Sequence, residues 1–128
     1  MKHICFFSPG AYPYLSGKNT GTSGGAELVQ SLIAKELAKR KDYQIFVIVD
    51  DFGQNNLEVH DNFFVYKCPM RNKNKLVKLY NIFATLYEID ADIYCQRGAM
   101  AETGLIALFC ELKHKKFVYS VAHDYEVN

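Results

Sequence analysis

The chain has 128 residues, a formal net charge of +1, 49% hydrophobic residues and 23% charged residues. This length suits one domain with its own core, residues 1–128, and is short for two domains. The near-neutral charge excludes a global electrostatic field that would recruit nucleic acid or an anionic membrane. No apolar run is long enough to span a bilayer.

The cysteines indicate a reducing compartment. None of the four (Cys5, Cys68, Cys95 and Cys110) lies at the spacing of a metal site, and three lie inside apolar runs. Such cysteines are typical of free core thiols in cytoplasmic proteins. The apolar run after Lys2 is too short for the hydrophobic region of a signal peptide, so a cytoplasmic location is expected.

Short apolar runs alternate with helical patterns along the chain. The runs predict five strands and the helical patterns predict three helices. The strands are expected at His3–Phe7, Gln44–Val49, Phe63–Tyr66, Asp92–Cys95 and Phe117–Val121, and the helices around residues 25–40, 74–89 and 99–113. In the second helix, one stripe is expected to contain Leu76, Leu79, Tyr80, Phe83, Leu86 and Tyr87.

This alternation predicts an α/β fold with a Rossmann-like, doubly wound parallel sheet and the strand order 3-2-1-4-5. Ligands of such sheets bind beyond the carboxyl ends of the strands, beside strand 1. The polar segments that follow the first, fourth and fifth strands are therefore expected to meet at one crevice.

The first of these segments is rich in glycine and ends in Ser23-Gly24-Gly25-Ala26-Glu27. Gly24 and Gly25 come where the first helix begins, and unpaired N–H groups at a helix start attract anions. A phosphate or diphosphate site is one interpretation, and a surface loop before a helix capped by Ser23 and Glu27 is the other. The spacing matches neither GxGxxG nor GxxxxGK[ST], which disfavours an ordinary dinucleotide site or P-loop.

The other two segments contain Gln96, Arg97 and His123. His123 follows a buried strand, and histidine is suited to proton transfer or hydrogen bonding near neutral pH. A structural role for a lone histidine stays open. Asp51-Phe52-Gly53 spells a kinase triplet without the other kinase motifs, and Asp50 stands where a ribose ligand or phospho-acceptor could lie. Neither kinase nor receiver chemistry is supported.

Four segments together resemble the amino-terminal domain of a GT-B glycosyltransferase, and most closely the retaining family 4, also called group 1. They are ICFFSPGAYPYLSG, SGGAELVQSLIAKELAKRKDYQIFVIV, DADIYCQRGA and KKFVYSVAHD, and from the first to the last they span residues 4–124, nearly the whole chain. The resemblance is strongest in the GGAE helix start and in the HD pair after the last predicted strand.

The resemblance implies an acceptor-side domain that faces a second, donor-binding domain across a cleft. Gly24 and Gly25 would lie near the donor diphosphate, and His123 would hydrogen-bond the transferred sugar near the reaction centre. Glu27, Gln96 and Arg97 would line the cleft, although Gln96-Arg97 departs from the residues common there in the family. The reaction would transfer a sugar from a nucleotide-sugar donor to a glycan or lipid-linked acceptor, with no metal and no cofactor.

The carboxyl-terminal donor domain is missing from this sequence, so the 128 residues alone are expected to be inactive. The alternative is a non-catalytic Rossmann-like module that binds a nucleotide or a carbohydrate, or half of a split enzyme. A nucleotide-dependent reductase is a third reading, disfavoured by the glycine spacing. Membrane association through the basic helix ends has no support in the sequence, and no nucleic-acid partner is expected.

Overall fold

The computed structural model describes residues 2–12, 25–60, 63–70, 73–97 and 103–120. These segments contain six strands and three α-helices, with one 3-10 turn at Pro9–Ala11. The strands are β1 (Lys2–Phe7), β2 (Tyr43–Val49), β3 (Leu57–Val59), β4 (Phe63–Lys67), β5 (Ile93–Arg97) and β6 (Lys116–Ser120). The helices are α1 (Gly25–Ala38), α2 (Lys75–Ile89) and α3 (Thr103–Leu112).

The strands form one six-stranded sheet in the order β3-β4-β2-β1-β5-β6. All neighbouring pairs are parallel except β3 and β4, which are antiparallel. The chain is therefore α/β with a mostly parallel sheet, as predicted. The expected order 3-2-1-4-5 is wrong as stated, because β3 adds an edge strand that the sequence analysis did not predict beside Phe63–Lys67.

Helices cover both faces of the sheet. On one face, Ala34 and Ala38 of α1 are buried against Ile4, Ile45 and Val47 of the central strands. On the other face, the core is built from α2, α3 and the alternate residues of the same strands; it includes Cys5, Phe7, Phe46, Ile48, Ile82, Leu86, Tyr94, Ile106 and Phe109. Because successive side chains of a strand point to opposite faces, apolar runs such as QIFVIV supply both layers.

Helix α2 begins and ends through identifiable side-chain and backbone contacts. The Asn74 side chain accepts a hydrogen bond from the Val77 backbone N–H at 2.9 Å, which satisfies one free donor of the first turn. Asp90 ends the helix in the left-handed region at φ 49°, and its backbone N–H donates to the Leu86 carbonyl. The Lys115 ammonium lies 2.9 Å from the Asp90 carboxylate. The two hydrogen bonds cap α2, and the ion pair ties its end to the residue that precedes β6.

The single stripe predicted for this helix is wrong in part. Of the predicted stripe, Leu86 is buried, whereas Leu76 and Tyr80 are exposed. Ile82 and Ile89, which were not in the predicted stripe, are buried beside Leu86. The apolar residues of α2 occupy more than one side of the helix, so spacing alone did not select the side that faces the sheet. Among the described residues, no helix combines the length and apolar character needed to cross a membrane.

Candidate functional site

The candidate site is the edge of the sheet where the parallel strands end. Strands β1 and β5 are neighbours here, but the chain leaves them in opposite directions: β1 connects through α1 to β2, while β5 connects through α3 to β6. Adjacent strands whose connections diverge leave a crevice at their carboxyl ends. The predicted site residues belong to the segments that follow β1, β5 and β6.

Gly25 is the first residue of α1. Because α1 joins two neighbouring parallel strands, β1 and β2, it must begin at the carboxyl edge of the sheet and return to the opposite edge. Glu27 lies in the first turn of the same helix. Gly24 and His123 lie outside the described residues, so their expected positions remain predictions.

Gln96 and Arg97 are the last two residues of β5, whereas the sequence analysis placed them in a loop after the strand. They belong to the strand because β6 continues alongside, with Gln96 opposite Tyr119 and Arg97 opposite Ser120. They therefore stand at the carboxyl edge of the sheet, beside the divergence of β1 and β5. The expectation that they line a cleft stays a prediction.

The Gln96 side chain is 1% exposed, and neither its amide nitrogen nor its amide oxygen has a hydrogen-bond partner among the described residues. It shares a strand face with Tyr94, on the side of the sheet covered by α2 and α3. A buried polar group without a partner costs about 1–3 kcal/mol. A carboxamide in this state can donate to and accept from a polar group brought to the edge of the sheet.

Asp50 holds together the loops that follow β1, β2 and β4. Its buried carboxylate Oδ1 accepts hydrogen bonds from the backbone N–H of Asp51 at 2.7 Å and of Met70 at 3.0 Å. Its own backbone N–H donates to the Pro9 carbonyl at 3.0 Å. This geometry gives Asp50 a structural role and explains an acidic residue at the end of β2 without a bound ribose.

The kinase-like triplet is a turn on the same edge. Asp51 Oδ1 accepts from the Gly53 backbone N–H at 2.9 Å, and Gly53 has a φ of 90°, which favours glycine. The hydrogen bond from Gly53, together with Lys67 (Nζ 3.7 Å from Asp51 Oδ1), lowers the pKa of the Asp51 carboxyl. The triplet is therefore built into a local hydrogen-bonded turn.

A cluster of Tyr12, Glu58 and His60 was missed by the sequence analysis. The Tyr12 hydroxyl donates to Glu58 Oε2 at 2.8 Å, and His60 Nε2 lies 3.2 Å from Glu58 Oε1. Burial, followed by the contact with Glu58, raises the pKa of the Tyr12 hydroxyl. Tyr12 is 8% exposed, and its ring stacks on that of Phe52 with 5.6 Å between the centroids.

This cluster holds Tyr12, at the end of the described segment 2–12, against the edge strand β3. The only sequence cue was the alternation in Leu57-Glu58-Val59, which is too short to predict a strand with a polar partner for Tyr12. Sequence separation between Tyr12 and Glu58 is 46 residues, and nothing local relates the two.

The four cysteines are free thiols; three are buried and Cys95 is half-buried. Burial raises the pKa of Cys5 well above its ordinary value and that of Cys95 and Cys110 to about 11. Thiols in this state are poor nucleophiles. Within the segments that the structure describes, no three His, Cys, Asp or Glu side chains gather closely enough to hold a metal ion.

No protein-family model matches the chain, and no characterised protein matches it at a significant level. The resemblance to GT-B glycosyltransferases therefore depends on the quoted sequence segments alone. The mostly parallel α/β sheet is compatible with a Rossmann-like fold.

Proposed function

We propose that this chain is the acceptor-side domain of a retaining GT-B glycosyltransferase of family 4. The observation that carries the proposal is the start of α1 at Gly25, at the carboxyl edge of the strands and beside the divergence of β1 and β5. The segment that supplies the strongest sequence resemblance thus opens a helix on the edge where Rossmann-like domains bind ligands.

In the proposed reaction, a sugar leaves a nucleotide diphosphate and joins a glycan or a lipid-linked acceptor. Negative charge develops on the departing diphosphate, and oriented N–H groups at a helix start stabilise that charge without rearranging. Gly24 and Gly25 supply these groups, since residues without side chains allow the backbone to approach the phosphates closely. His123 hydrogen-bonds the transferred sugar.

Among the polar residues assigned to the proposed cleft, Gln96 is the one whose side chain the structure describes. Its carboxamide has a donor and an acceptor without partners among the described residues, as a contact to a sugar hydroxyl would require. Glu27 and Arg97 complete the proposed cleft. The donor half of the enzyme, and with it the donor base and the E-x7-E segment of the family, is assigned to polypeptide outside these 128 residues. The location proposed is cytoplasmic, in keeping with the four free thiols.

The test begins with the coding region around this sequence. We expect it to encode a second α/β domain that contains an E-x7-E segment. The full-length protein should then transfer labelled sugar from one of a panel of UDP- and GDP-sugars to lipid or glycan acceptors. The variant His123→Ala should lose at least 100-fold in turnover, since the proposed contact is made at the reaction centre.

Leu32→Glu serves as the control, because Leu32 is 58% exposed on α1 and belongs to no proposed contact. Binding of a nucleotide sugar or glycan without turnover would favour the alternative, a non-catalytic module or half of a split enzyme. Thermal protection by NAD(P) and not by nucleotide sugars would contradict both readings and indicate a reductase.

A further inference from the structure

Helix α3 begins at the same edge of the sheet as α1, but on the opposite face. It joins two neighbouring parallel strands, β5 and β6, so it must run from the carboxyl edge of the sheet back to the amino edge. Its buried side chains Ile106, Phe109 and Cys110 lie in the core layer that α3 shares with α2. The backbone N–H groups of its first turn have no partner within the helix, and they lie at the edge where ligands of such sheets bind.

Gln96 lies beneath this first turn. The ring of Tyr94 in β5 meets the ring of Phe109 in α3 edge-on, with 5.4 Å between the centroids. Gln96 follows Tyr94 by two residues on the same face of the sheet, which places it about 6.5 Å nearer the carboxyl edge. Because α3 runs antiparallel to β5 and rises about 1.5 Å per residue, that distance leads from Phe109 back about four residues, to the start of the helix. The amide of Gln96, 1% exposed and without a partner among the described residues, therefore lies under the start of α3.

The first turn of α3 contains an exposed glycine, Gly104. Glycine weakens a helix relative to alanine, and Gly104 does not have the positive φ that favours glycine. A Cβ atom added to Gly104 would meet no described atom within 4 Å, so packing against the described residues does not require glycine either. The missing side chain does give a ligand room to approach the backbone N–H groups of the turn.

The start of α3 and the Gln96 amide together select a ligand with two kinds of oxygen. The N–H groups of the turn and the dipole of α3 favour negative charge, and the first turn contains no acidic residue. The Gln96 Nε2 atom donates hydrogen bonds and the Oε1 atom accepts them, so an anion alone would leave Oε1 without a donor. A phosphorylated sugar supplies both partners: its phosphate oxygens accept from Nε2 and from the turn, and a neighbouring hydroxyl donates to Oε1.

We propose that the start of α3, with Gly104 and Gln96, binds the phosphate group of a phosphorylated sugar. The assignment of this ligand as the acceptor rests on the function proposed above, and the acceptor class is then a sugar phosphate, free or lipid-linked. The starts of α1 and α3 flank the divergence of β1 and β5, one for the donor diphosphate and the other for the acceptor phosphate. Residues 98–102 join β5 to α3 and lie outside the described residues, and no contact is assigned to them.

Nuclear magnetic resonance titration of the isotope-labelled chain tests the site, with a hexose phosphate, the free hexose, inorganic phosphate and UDP as the probes. We expect the hexose phosphate to shift the backbone amides of residues 104–106 and the side-chain amide of Gln96, with a dissociation constant on the order of 1 mM. Inorganic phosphate should bind more weakly, and the free hexose should not bind. Gly104→Ala should weaken binding about tenfold, while urea unfolding shows equal or greater stability. Leu112→Ala, 65% exposed at the far end of α3, should bind like the wild type.

Three results of the titration would overturn the site. The first is that no probe shifts the amides at the start of α3, and the second is that UDP shifts them as strongly as the hexose phosphate, which would assign the site to the donor. The third is that Gly104→Ala stays folded and binds with unchanged affinity. A destabilising Gln96→Met would also overturn the site, because the amide would then be paired within the chain, with Glu102 just before α3 as a candidate partner.

Activity of the full-length protein separates this inference from the proposed function. Transfer to a soluble hexose phosphate, or only to a lipid-linked sugar diphosphate, identifies the source of the phosphate, and in either case Gly104→Ala should raise KM for the acceptor more than KM for the donor. Transfer to unphosphorylated glycans that Gly104→Ala leaves unchanged would overturn the inference and keep the proposed function. Binding of the hexose phosphate at α3 without any transfer would keep the site and contradict the proposed function.

Discussion

Replacing Gln96 by methionine should make the folded domain more stable. The side chain is 1% exposed, and both polar atoms of its amide lack a partner among the described residues. An unpartnered buried group costs about 1–3 kcal/mol, and an apolar side chain of similar length removes that cost. Urea unfolding should therefore show a higher midpoint with an unchanged slope. In thermal unfolding, each kcal/mol corresponds to a shift of about 3–6 °C for a domain of this size.

Tyr94→Phe is the matched control, because Tyr94 lies two residues away on the same buried face and its polar atom is satisfied. The Tyr94 hydroxyl donates to the Leu86 carbonyl at 2.7 Å and accepts from the Ala91 N–H at 2.9 Å. Its removal should destabilise the domain by about 1–3 kcal/mol, the opposite sign to Gln96→Met. If Gln96→Met also destabilises by more than about 1 kcal/mol, the Gln96 amide is paired within the fold. Its assignment to a ligand then fails.

Three further predictions concern stability. Asp50→Ala should destabilise the domain by about 2–4 kcal/mol in urea unfolding, because two backbone N–H groups lose their acceptor, whereas Asp50→Asn should recover part of this loss. Asn74→Ala should cost about 1 kcal/mol through the lost cap of α2, and Asn74→Asp should be close to neutral. Stability should fall between pH 9 and 11, because unfolding lets Cys95 and Cys110 ionise near the ordinary value of 9.0 and the fold raises their pKa to about 11. Well below pH 9 these thiols are protonated in both states and have no effect; at pH 10 each lowers the stability by roughly 1 kcal/mol. Replacing both cysteines by alanine should reduce the difference in unfolding free energy between pH 8 and pH 10. An unchanged difference would show that ionisation of these thiols does not cause the loss of stability.

The parallel strands were predictable because burial on both faces requires nearly continuous apolar sequence. Tyr43–Val49 and Phe63–Lys67 show this directly. β3 was not predictable for the opposite reason: it has three residues, pairs on one side only and has two exposed side chains. A strand so short is determined by its partner more than by its own composition.

The order of the elements predicted which strand ends share an edge of the sheet, but it did not predict the surroundings of individual residues there. Gln96 was singled out as a polar residue after an apolar run, but its burial depends on β6 and on the covering helices, which local sequence does not report. Likewise, the pairing of Tyr12 with Glu58 arises only when the edge strand β3 packs beside β4. Gly24 and His123 lie outside the described residues, and their roles rest on the family resemblance.

The short antiparallel strand β3 makes the two borders of the sheet unequal. An incoming strand at β3 would find only three residues to pair with, and short edge strands of this kind discourage uncontrolled association between sheets. The five-residue strand β6 stands at the other border and runs parallel to β5. An engineered extension of this sheet, or a binding peptide designed to add as a strand, should therefore be directed to β6.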